Sequence, residues 1–198
     1  LLNYVINGGR LIVISGNETL SNQLLNELGV NSRFSGSVIE DPVLNVINEK
    51  FPLAFIVSNP VVTTNATVIA LDDAVAIRVD DPNATVIAVT SKFSFAGNST
   101  GPFPVIVAVP IGRGYVVLVS SPGLYINSMI NEANNAEFLM SLCGGKALFL
   151  ESALAGNPQV TIRELLLTTY AYLSMYPINY LVIIMPIIIA IIVLLIRR

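Results

Sequence analysis

Histidine and tryptophan are absent from this 198-residue chain, and Cys143 is its single cysteine. Without histidine there is no imidazole to hold zinc and no Ser-His, Cys-His or His-Asp pair to activate a nucleophile. One cysteine allows no disulfide within the chain, so stability has to come from packing. Charge is scarce too. Asp, Glu, Lys and Arg make up 12% of the residues, with 13 acidic against 10 basic and a net charge of −3. Two of the basic residues are the terminal Arg197 and Arg198, so the rest of the chain is more acidic still. With no basic cluster and an acidic balance, phosphate backbones are repelled and nucleic acid is not an expected partner. No metal site, cofactor or catalytic residue is expected.

What the chain has in abundance is apolar residues, 54% of the total. The longest apolar run is residues 178–196, polar only at Asn179 and Tyr180. As a helix it would span roughly 28 Å, near the hydrocarbon thickness of a bilayer. Arg197 and Arg198 supply a positive flank, and Tyr170, Tyr172, Tyr176 and Tyr180 approach from the other side like an interfacial belt. The expectation is a single-pass membrane protein, its N-terminal domain outside and its C-terminus cytoplasmic, with the lipid bilayer and other membrane or cell-surface subunits as partners. Residues 1–157 would form the outer domain, 158–176 a juxtamembrane helix and 177–198 the spanning helix, with Pro186 able to kink it.

The chain opens with Leu1 rather than Met, and residues 1–7 read as the end of a helix closed by Gly8-Gly9. The sequence is expected to begin inside a domain, with a strand and part of a helix upstream. Residues 10–15 (RLIVIS) form a continuous apolar run, the mark of a strand buried on both faces. Leu20, Leu24, Leu25 and Leu28 then recur at helical spacing and Gly29 ends the helix. Strand, turn and helix in that order predict half of a βαβ unit and a parallel sheet. Further on, Ser35-Gly36-Ser37 and Asp41-Pro42 read as turns, 43–48 as a possible short helix, and 53–57, 67–71, 74–79 and 85–90 as strands. Residues 95–104 read as a loop, while 105–109 and 115–120, joined through Gly112-Arg113-Gly114, give the clearest hairpin. A helix over 134–142, a buried strand over 147–150 and a helix over 161–175 complete the pattern.

The stretch from Gly101 to Ile130 (GPFPVIVAVPIGRGYVVLVSSPGLYINSMI), followed by Asn135-Ala136-Glu137-Phe138, resembles an uncharacterised family of archaeal and bacterial membrane-associated proteins. Those proteins carry a class I glutamine-amidotransferase-like domain, and the opening run from Asn7 to Gly16 (NGGRLIVISG) fits the same pattern. The resemblance covers roughly residues 1–151. It implies a three-layer α/β, flavodoxin-like domain with a mostly parallel sheet plus a β-hairpin, followed here by the single transmembrane helix. It also implies a lost enzyme chemistry. The elbow Ser15-Gly16-Asn17 has no cysteine, Cys143 falls at a helix end, and there is no histidine to pair with it.

Four Asn-x-Ser/Thr sequons, at Asn17, Asn65, Asn83 and Asn98, suit N-glycosylation of an outer domain. Asp72-Asp73, Asp80-Asp81 and Glu40-Asp41 have no Ca²⁺-loop spacing and read as solvated turns. Membrane-interface roles fall to Tyr172, Tyr176, Tyr180, Arg197 and Arg198. The function expected is a non-enzymatic, membrane-anchored accessory or scaffolding subunit of a larger assembly. One rival is a module presenting a sugar or peptide to a transporter, with a pocket at the strand ends near Ser15 and Glu151. A second is a hydrolase using Glu151 with one of the acidic turns.

Overall fold

The computed structural model describes residues 1–15, 18–57, 61–144, 147, 148 and 195. The chain divides into two compact units, Leu1–Ala147 and Leu148–Arg198, and the fold described is that of the first. In chain order its elements are α1 (Leu2–Ile6), β1 (Arg10–Ile14), α2 (Glu18–Glu27), β2 (Arg33–Glu40), β3 (Leu53–Ile56), β4 (Val68–Ala70), β5 (Val75–Arg78), β6 (Thr85–Thr90), β7 (Phe95–Ala96), β8 (Ser99–Thr100), β9 (Pro104–Ile111), β10 (Gly114–Val119) and α3 (Asn135–Cys143). The strands make a six-stranded sheet, order β1-β10-β9-β6-β3-β4, and a four-stranded one, order β5-β2-β7-β8.

The β9–β10 hairpin is the centre of the unit, and its sequence says why. Alternation along each strand sends Ile106, Ala108, Val117 and Val119 into one apolar cluster, with Ile69, Ile87 and Phe138. Val107, Val109, Val116 and Leu118 enter a second cluster with Val5, Leu25, Phe34 and Ile77. A strand buried on both faces has no polar side, which is why residues 105–109 and 116–119 read as unbroken Val, Ile, Leu and Ala. The hairpin turn is fitted under α1. Gly112 has φ +61, and a Cβ on Gly114 would collide with the carbonyl oxygens of Gly9 and Val5.

The expected three-layer flavodoxin-like α/β domain with a mostly parallel sheet does not form; the unit is mostly β, with two sheets and three short helices among the described residues. Among the described residues only β1 and β10 run parallel, and the other strand pairings are antiparallel. The physical reason lies in the connections. Parallel neighbours need a crossover of a dozen or more residues, usually a helix. Among the described residues between α2 and α3 there is no helix, so successive strands return on themselves. α2 leads from β1 into β2, which lies in the other sheet and pairs with β5 and β7.

The single-pass membrane location is corrected as well. Among the described residues no helix is long and apolar enough to cross a membrane. α2, with 10 residues, is the longest of them and spans about 15 Å, half a bilayer's hydrocarbon core. The segment 177–198, on which the span was read, lies outside the described residues, as do the helix over 161–175, Tyr172, Tyr176, Tyr180, Arg197 and Arg198.

Candidate functional site

The strand ends come first, since ligands in open sheets gather there. Ser15 follows β1, is buried, and donates its amide to the Val119 carbonyl, 2.9 Å. Ser120 and Ser121 follow β10 and are fully buried. Ser120 accepts from the Val75 amide and donates its own to Val105, so its main chain ties β10 to both sheets. The Ser121 hydroxyl accepts from the Asp72 amide (2.9 Å) and donates to the Asp72 carbonyl (2.8 Å). Burial and the neighbouring Asp73 push the Asp72 carboxyl above its ordinary range. The Ser120 hydroxyl is buried without a hydrogen-bond partner. Gly16, Asn17 and Glu151 lie outside the described residues, so the Ser15–Glu151 pairing expected at this end is not placed.

A second polar node closes the sheet at β4. Asn135 is fully buried at the start of α3. Its Oδ1 accepts from the Ala70 amide, and its Nδ2 donates to the carbonyls of Ala70 and Met129, at 2.8–2.9 Å. Asn134 Oδ1 accepts from the amides of Thr67 and Val68. Two neighbouring amides thus occupy an edge that would otherwise offer bare ladder groups. Phe138, one turn on, is fully buried in the core. At the far end of α3, Arg10 Nη1 donates to the Leu142 and Ser141 carbonyls, and Nη2 to the Val61 carbonyl. The cation sits where a helix C-terminus favours one.

The third node lies between two loops fifty residues apart. Asp41 is fully buried, and its Oδ1 accepts from the amides of Val43 (2.9 Å) and Leu44 (2.8 Å). Its Oδ2 accepts from the Ser91 hydroxyl at 2.5 Å, and that oxygen in turn accepts from the Phe93 amide. Ser94 donates to the Ser91 carbonyl and shares a 2.7 Å contact with Thr90 Oγ1, which accepts from Phe103. Charge-assisted bonds to a buried carboxylate are among the stronger ones a protein makes. Yet the side chains this node carries point outward: Val43 is 58% exposed, Ile47 62% and Phe93 48%. Lys92 Nζ stands 5.1 Å from the Phe93 ring centroid.

Asp41, read from sequence with Glu40 as a solvated turn, is instead fully buried, and Val43, Ile47, Ser91 and Phe93 were not singled out as a site. The available signals were local: Asp41-Pro42 marks a side-chain-capped turn, and Ser91-Lys92-Phe93-Ser94 sets an aromatic between two small hydroxyl residues. Of the sequons, Asn65, Asn83 and Asn98 are exposed, with Asn83 in the β5–β6 turn and Asn98 in the β7–β8 turn. Asp81 beside Asn83 accepts from the amides of Asn31 and Ser32 and from the Ser32 hydroxyl. Burial alone would raise its carboxyl, but these bonds together hold it below the ordinary range. Among the described residues no group of three His, Cys, Asp or Glu side chains could hold a metal ion. Cys143 is half-buried, and the Tyr125 hydroxyl is raised by burial and then by Cys143.

Among solved structures, the mmIFT52 N-terminal domain is similar with a TM-score of 0.55 and 16% identity, over 74% of this chain and 70% of that one. The beta-galactosidase from Bacillus circulans sp. alkalophilus is similar at TM-score 0.46 and 12% identity, over 72% of this chain and 19% of that one. Cytoplasmic Protein STM1381 from Salmonella typhimurium LT2 follows at TM-score 0.48 and 17% identity, over 74% and 59%. At 16% identity the likeness to the mmIFT52 domain concerns the fold alone. No curated protein sequence matches the chain. The resemblance to a membrane-associated, class I glutamine-amidotransferase-like family is corrected here: the family model that matches is that of a domain of unknown function, DUF4350, over residues 1–143. That match spans most of the chain, which therefore belongs to the DUF4350 family.

Proposed function

We propose that this domain is a non-catalytic docking module, an accessory or scaffolding subunit that holds another protein chain. The observation that supports this reading is the third node. Val43, Ile47 and Phe93 are exposed apolar side chains on two loops fixed in place by the buried Asp41–Ser91 pair. Apolar residues presented on a rigid frame lose little conformational freedom on binding, and aromatic anchors of this kind dominate interface energies. Several other buried polar side chains are spent on tethering main chain: Asn135 on β4, Ser121 on Asp72, Thr90 on the loop before β9 and Ser94 on the loop after β6.

The test is purification of the chain from its own cells under mild conditions, with the mass of the particle read by sedimentation. A defined complex of constant stoichiometry supports the module; a lone monomer argues against it. A second reading, a module holding a small polar ligand at the strand ends, is favoured by the unpartnered, fully buried Ser120 hydroxyl. A ligand screen by thermal shift would favour it through a rise in melting temperature that Ser120→Ala abolishes.

A further inference from the structure

We draw no further inference here: the strongest candidate, the outer edge of β1 at one side of the six-stranded sheet, has apolar side chains on both faces and no strand beside it among the described residues, and nothing in the structure shows what covers it.

Discussion

The node at Asn135 and the node at Asp41 are built alike and do opposite things. Each is a fully buried polar side chain that joins distant segments, Asn135 through main-chain groups of β4 and Asp41 through the amides of its own loop and the Ser91 hydroxyl. Asn135 and its neighbour Asn134 seal the β4 edge, and the helix they begin drives Phe138 into the core. Asp41 joins two loops and leaves Val43, Ile47 and Phe93 in solvent. One node finishes the fold. The other spends the same kind of bonding on holding a surface open, which costs apolar exposure that packing alone would have removed.

The largest expected effect falls on the closing node. Asn135→Ala strands the Ala70 amide and carbonyl and the Met129 carbonyl in the core, at about 3 kcal/mol. Thermal unfolding would show a fall in melting temperature on the order of 10 °C for a chain of this size. Ser91→Ala removes one donor from the Asp41 carboxylate and the anchor of the Phe93 amide, at about 1.5 kcal/mol. Hydrogen exchange should show the Phe93 amide losing protection while the Ala70 amide keeps it. Phe93→Asp is expected to cost about 1 kcal/mol, because the ring is about half exposed and lies outside the core. Chemical denaturation checks it.

The smallest effects separate two acidic turns by their sign. Asp81 is held below the ordinary carboxylate range, so its contribution is present above that range and lost as pH falls through the lowered folded value. Asp72 is raised, chiefly by burial, so its ionisation in the folded state works against stability once pH rises through that raised value. At neutral pH Asp81→Asn should lower the melting temperature and Asp72→Asn should raise it. The Asp72 difference should vanish as pH falls below the ordinary carboxylate range, and the Asp81 difference should persist to lower pH, because its carboxyl stays ionised below that range.

Much of the local structure was legible in the sequence, and most of the topology was not. β1, α2, the β9–β10 hairpin and α3 form where apolar spacing, glycines and turn residues put them. β2 was hidden because its middle, Gly36 to Val38, is exposed and reads as a turn; its pairing with β5 and β7 makes it a strand. β7 and β8 are two residues each, too short for any periodicity to appear. The parallel sheet was read from β1 and α2, but a strand's neighbour is chosen by contacts far along the chain, and β1 pairs with β10 about a hundred residues later. The Asp41–Ser91 node is missed for the same reason. Each half looks like an ordinary turn, and only their meeting across fifty residues makes a frame.

The contrast between the two nodes is tested most directly by a photo-crosslinking side chain placed at Phe93 in one chain and at exposed Thr67, beside the sealed β4 edge, in another, both irradiated in the protein's own cells. The account predicts a discrete adduct with a protein chain from position 93 and none from position 67. Equal yields from the two positions, or an adduct from position 67 alone, would contradict it.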